Sequence, residues 1–250
     1  MLKTCGLLIL SIVVVLAGQA RAYDSKDEMI DDKLAILAGG SIPARIEMLE
    51  RLQWSGLSDE RLFDAIAEIP PERYQASDMD KTEYNLLAHR VRALGYSGNE
   101  RYRSLLEDVR ETGGHRKLRG HASKALGEMG RFSRQNELVA QSELDVSGKP
   151  FEVGVYMKML NSDDVAAQRN AARAVYHERR VDADLLAMIA DQLTAAYLQE
   201  GLSGQQQDTL AWYAKTLGNN ARDDYRELLV EVAEKTPSKK LRKHALKASR

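Results

Sequence analysis

Tyr102–Ala125 reads YRSLLEDVRETGGHRKLRGHASKA, and Tyr225–Ala248 reads YRELLVEVAEKTPSKKLRKHALKA. The two stretches lie 123 residues apart, and 13 of their 24 positions are identical with no gap. Unrelated stretches of that length share about one or two identities, so the chain carries an internal duplication, the sequence mark of a repeat architecture. Both copies have helical spacing. Tyr102, Leu105, Leu106 and Val109 recur at i, i+3, i+4 and i+7, as do Tyr225, Leu228, Leu229 and Val232, which puts each set on one face of a helix. Gly113-Gly114 and Thr236-Pro237-Ser238 then break the chain. Leu118, Ala122 and Ala125 form the next face, matched by Leu241, Ala245 and Ala248. The unit is an antiparallel helix pair. In the first copy Gly127 reads as the stop of its second helix.

The match extends upstream at the same offset. Leu87-Ala88 pairs with Leu210-Ala211, and Leu94-Gly95 with Leu217-Gly218, so the copies cover 87–125 and 210–248. Helical faces also fill the interval: Val153, Tyr156, Met157 and Leu160; then Ala167, Ala171, Ala174 and Val175; then Leu186, Ile189, Ala190 and Leu193. A two-helix unit takes roughly 30 to 50 residues, so the offset corresponds to three units. Ahead of the copies, Ile30, Leu34 and Leu37, then Ile42, Ile46 and Leu49, then Leu62, Ala65, Ile66 and Ile69 give three further helical faces. Pro70-Pro71 reads as an end, and the polar stretch to Lys81 as a loop. The chain is thus expected to be all-α, with residues 23–80 a divergent cap on a stack over 81–250. A loop, Asp145 to Pro150, interrupts the stack.

Leu118-Arg119-x-x-Ala122-x-x-Ala125-Leu126-Gly127 resembles the second helix of a HEAT repeat, of the short kind found in phycobilisome-lyase-like proteins. Leu241-Arg242-x-x-Ala245-x-x-Ala248 repeats the pattern, while Ala171-Ala172-Arg173-Ala174-Val175 keeps its small residues with Gln168 in the arginine's place. The resemblance covers about residues 82–250 and implies an α-solenoid of stacked helix pairs, an architecture used mostly for interaction surfaces. It also implies that Arg119 and Arg242 share one structural role near a helix start.

The N-terminus has a separate meaning. Lys3 precedes an apolar run from Gly6 to Gly18, and Ala20-Arg21-Ala22 supplies small residues at the positions a signal peptidase reads. Residues 1–22 are therefore expected to be a signal peptide, with the mature chain beginning at Tyr23. The apolar run is shorter than the ~20 residues of a spanning helix. Cleavage removes Lys3, Arg21 and no acid, moving the formal charge from −1 to −3. It also removes Cys5, the single cysteine. An exported chain without cysteine is held by an apolar core, not by disulfides, and its near-neutral charge gives no bias toward nucleic acid.

Few residues point to chemistry. His121 and His244 are equivalent across the duplication and sit beside an alanine, a packing position. His89 and His115 add no metal-ligand spacing, and no HExxH or Cys/His cluster occurs. There is no GxSxG and no glycine-rich phosphate loop. Carboxylate pairs such as Asp163-Asp164 and Asp223-Asp224 suit helix starts. No catalytic residue, metal or cofactor is expected. Candidate partner contacts are the aromatics Tyr96, Tyr176 and Trp212 and the C-terminal lysines Lys239, Lys240, Lys243 and Lys247. The expected role is a periplasmic or secreted, non-catalytic scaffold for another protein of the cell envelope. Two other readings stay open: an enzyme or accessory factor acting on an envelope polymer through grouped carboxylates, and contact with an anionic surface through the C-terminal helix.

Overall fold

A computed structural model describes residues 22–250; the expected signal peptide, all but its last residue, lies outside the described residues. The described residues are all-α, with helices packed on helices in a repeat-like arrangement. In chain order these are α1 (Lys26–Gly39), α2 (Ile42–Arg51), α3 (Glu60–Ala67), α4 (Pro71–Gln75), α5 (Lys81–Tyr96), α6 (Arg103–Thr112), α7 (Arg116–Gln141), α8 (Phe151–Leu160), α9 (Val165–Glu178), α10 (Ala183–Ala196), α11 (Gly204–Asn220), α12 (Arg222–Lys235) and α13 (Lys239–Ala248). Two 3-10 turns, Leu52–Trp54 and Glu100–Tyr102, follow α2 and precede α6. Among the described residues no helix is long and apolar enough to cross a membrane.

The duplication is reproduced in the element boundaries. α5 and α11 begin 123 residues apart, as do α7 and α13. Acidic and hydroxyl residues start the helices as the sequence suggests: Asp80, Asp164, Asp182, Ser203 and Ser238 accept hydrogen bonds from the first backbone N–H groups. Two sequence readings are corrected. Gly127 does not stop α7, which runs on to Gln141 so that Met129, Phe132 and Gln135 are also buried. Pro70-Pro71 does not simply open a loop; Pro71 begins the short helix α4, where its missing N–H costs nothing.

Consecutive helices pack together: α1 on α2, α6 on α7, α8 on α9, α10 on α11 and α12 on α13. Second helices also pack on one another, α2 on α5, α5 on α7, α9 on α11 and α11 on α13. The Leu-Gly of each copy is the contact point. A Cβ on Gly95 would lie 2.8 Å from the Ala125 Cβ, and one on Gly218 would lie 2.5 Å from the Ala248 Cβ. Only glycine lets these helices meet so closely.

A second device recurs at the turns. The fourth residue of a second helix donates a hydrogen bond back to a carbonyl of the preceding turn or helix end. Arg45 reaches Ala38 O at 2.8 Å, Arg119 reaches Gly113 O at 2.7 Å, and Gln168 reaches Ser162 O at 2.7 Å. Gln207 reaches Leu202 O at 2.9 Å and Arg242 reaches Thr236 O at 2.7 Å. Side chains tilt toward the helix N-terminus, so this position overlies the turn, where carbonyls lack helical partners. α5 departs from the pattern. Its fourth residue is Tyr84, and Arg90, two turns further on, donates instead to the carbonyls of Ala65, Ile66 and Glu68.

The apolar interior is in two parts, one within 23–132 and the other, apart from Trp54, within 153–245. They meet at a seam between α7 and α9. Gln135 and Asn170 join across it through a buried hydrogen bond of 2.7 Å. Trp54, from the first half of the chain, belongs to the second core, and Phe151 packs on both. The Tyr23 carbonyl accepts from the Phe151 N–H at 2.8 Å, which ties the first described residues to the start of α8.

Candidate interaction surface

The seam gathers the aromatic and cationic side chains of the second helices. The 3-10 turn after α2 presents Trp54, whose ring stacks on His177 of α9 at 4.8 Å between centroids and 2° between planes. The Arg173 guanidinium, one turn earlier on α9, lies 5.4 Å from the Trp54 ring centroid and 5.4 Å from that of Trp212 on α11. Lys215 stands over the other part of this group, its Nζ 3.8 Å from the Trp212 centroid. Tyr176 meets Trp212 edge-on at 5.5 Å. Cations over aromatic faces in this range are held by the ring quadrupole. Among the described residues, Arg173 Nε and Trp54 Nε1 are buried donors with no hydrogen-bond partner.

The row of cations continues to both sides. On α9, Arg169 Nη1 lies 3.3 Å from Asp208 Oδ2 of α11, and Lys240 Nζ of α13 lies 2.6 Å from Asp208 Oδ1. Burial pushes the Asp208 pKa up, but the hydrogen bond and charge of Lys240 and the charge of Arg169 outweigh it, and the net shift is downward. The neighbouring bases feel one another. Burial first, then the charges of Arg169 and Arg131, hold Arg173 below the ordinary arginine range. Burial lowers Lys215, with Lys240, Arg173 and Lys247 adding to the shift against Asp208. Burial lowers His244, and Lys215, Lys243 and Lys240 push the same way.

The sequence candidates divide here. Tyr176 and Trp212 lie together in the aromatic group, both partly exposed. Tyr96 is 6% exposed, packed edge-on against Phe132 of α7 at 4.9 Å, and belongs to the core. Lys239, Lys240, Lys243 and Lys247 are exposed on α13, while Leu241 and Ala245 are fully buried. Among the described residues, Lys240 alone of the four has an ion pair with an acid on another helix. Trp54, Arg173 and Lys215 were missed. Trp54 lies outside any duplicated segment, and its approach to α9 across more than a hundred residues leaves no local signal. Of the histidines, His115 caps α7 through Nδ1, which accepts from the Lys117 N–H at 3.3 Å. His121 and His244 are half-buried on equivalent turns.

Among the described residues no group of three or more His, Cys, Asp or Glu side chains could hold a metal ion. The carboxylates with displaced pKa values, Asp59, Asp64, Asp80, Glu100, Asp145, Asp182, Asp208 and Glu231, are all displaced downward. Hydrogen bonds and basic neighbours hold them ionised. Compared with known proteins, the chain matches no family model, no curated protein and no solved structure.

Proposed function

We propose that this chain is an exported, periplasmic or secreted α-solenoid of HEAT-like helix pairs. Its second helices present a binding face, without catalysis, to an acidic segment of another cell-envelope protein. The observation that carries this reading is the Trp54–Arg173–Trp212–Lys215 stack, set beside the cations Arg169 and Lys240 that meet Asp208. Aromatic faces and guanidinium groups side by side are what interface anchors are made of, and Arg in particular engages carboxylates through paired hydrogen bonds. A carboxylic general acid must stay protonated near neutrality, and the carboxylates with displaced pKa values are all displaced the other way.

The test pairs two measurements on the chain from Tyr23 onward. A fluorescent oligo-glutamate peptide is titrated with the wild type and with a Trp212→Ala/Arg173→Gln variant, and both proteins are used to capture partners from envelope extract. We expect binding that weakens as salt rises, because exposed charges are screened over about 10 Å at ~0.1 M. We also expect its loss in the variant at unchanged helicity. Equal binding and equal capture by both proteins would overturn the proposal.

A further inference from the structure

The first described residues enter a buried ionic cluster. The Tyr23 backbone nitrogen lies 3.4 Å from Glu152 Oε2, and Glu152, on α8, is 1% exposed. Its other oxygen, Oε1, accepts from Arg180 Nη2 at 2.5 Å. Arg180 Nε donates in turn to Glu178 Oε2 at 2.8 Å, and the Tyr156 hydroxyl donates to Glu178 Oε1 at 2.8 Å. Lys33 of α1, also buried, feels Glu178, Asp32 and Glu152, with Arg51 of α2 opposing them. Tyr23 itself is held on every side. Its hydroxyl donates to Asp32 Oδ2 at 2.6 Å, the Lys33 ammonium lies 5.8 Å from its ring centroid, and its carbonyl accepts from Phe151.

A buried carboxylate is costly unless opposite charge meets it. Glu152 shares one guanidinium with Glu178 and turns its remaining oxygen to the nitrogen of Tyr23. That residue follows directly on Ala20-Arg21-Ala22, and Ala22 is exposed. We propose that the Ala22–Tyr23 bond is a processing site and that the α-ammonium freed there is a structural cation, closing an ion pair with Glu152 across the seam. The inference rests on the export reading. Hydrolysis by an endopeptidase of the export machinery adds one water. The C–N bond breaks, Ala22 leaves with the new carboxylate, and Tyr23 keeps the nitrogen as an ammonium. Because Tyr23 is anchored by its ring, hydroxyl and carbonyl, the new charge arises in place. Leader removal then strengthens the fold that the leader preceded.

An ion pair raises the folded-state pKa of the amine. Its contribution is therefore full below the ordinary α-amino range and is lost as pH rises through the raised value. The test compares three chains: one beginning at Tyr23 with a free amine, the same chain acetylated there, and one with two residues added in front. At pH 7 the free-amine chain should melt about 4–8 °C above the other two, with the gap closing toward about pH 10. Glu152→Gln should abolish the gap. If that variant does not fold, titration of the isotopically methylated amine in the wild type decides, and a pKa above the ordinary α-amino range is expected. Equal melting of the three chains, with an amine titrating in its ordinary range, overturns the ion pair. N-terminal sequencing of exported protein judges the cleavage separately: a first residue other than Tyr23 overturns the processing site.

Discussion

Two regions of one ancestry, α5–α7 and α11–α13, share their packing and differ in their surface. In both, a Leu-Gly helix seats its glycine against an alanine, Gly95 on Ala125 and Gly218 on Ala248. In both, an arginine at the fourth position closes the turn, Arg119 on Gly113 and Arg242 on Thr236. The positions beside these contacts have moved apart. Buried His89 becomes partly exposed Trp212 of the aromatic group, and Asn85 becomes Asp208, which bridges α9 and α13. The first copy extends its last helix to Gln141 and uses the addition to reach the seam. The second copy ends at Ala248. Backbone contacts tolerate little change because a displaced helix disturbs every neighbour, whereas a partly exposed side chain can be replaced without moving the helix.

The strongest way to break this comparison is at the glycines. Gly95→Ala and Gly218→Ala each place a methyl group against backbone and Cβ atoms of the next helix, at 2.5–3.0 Å. Overpacking of that kind should cost about 2–3 kcal/mol, lowering the melting temperature by about 5–10 °C. Gly127→Ala has no atom within 4 Å and lies inside α7, so it should stabilise by about 0.5–1 kcal/mol. Thermal melts of the three variants check this. A harmless Gly218→Ala beside a damaging Gly95→Ala would mean that the two contacts are not equivalent.

The fourth-position donors sharpen the comparison further. Arg119→Ala and Arg242→Ala should each cost about 1–2 kcal/mol by leaving a turn carbonyl without its charged donor. Gln168→Ala should cost about 1 kcal/mol, since a neutral amide does the same work there. Denaturant unfolding of each variant reads the effect. Unchanged stability in Gln168→Ala would restrict the stabilising effect to the charged donors.

The smallest expected effect separates the two copies instead of joining them. Asp208 is held below the ordinary carboxylate range, so its stabilisation is present above that range and is lost as pH falls through the lowered folded-state value. Its ion pairs are partly exposed, so screening leaves about 0.5 kcal/mol. Asp208→Asn should remove that amount at pH 7 and flatten the acid side of the stability curve. Asn85→Asp, at the equivalent site, should steepen the acid side by less than Asp208 does, because Lys117 matches Lys240 but Ile46 stands where Arg169 does. Melts from about pH 7 down to about pH 3 decide.

Much of the fold is legible in the chain itself. The 3.6-residue spacing of Leu, Val and Ala marks every long helix, and the 123-residue identity marks which pairs are equivalent. The fourth-position device could also have been found. Arg45, Arg119, Gln168, Gln207 and Arg242 are long amide or guanidinium side chains at one register, but identity scoring hides them because two chemistries serve one geometry. The end of α7 was misread because glycine at a helix end and glycine inside an exposed helix face are the same letter.

By itself, then, the sequence determined helix type, helix spacing and the equivalence of the copies. These are local properties, set by side-chain periodicity and turn residues. Tertiary structure alone decided which chemistry the molecule presents. Trp54 and His177, Arg173 and Trp212, Tyr23 and Glu152 each meet across long stretches of chain, at a seam whose position depends on how helices pack. Packing geometry is a sum over many weak contacts, and no single residue carries its outcome.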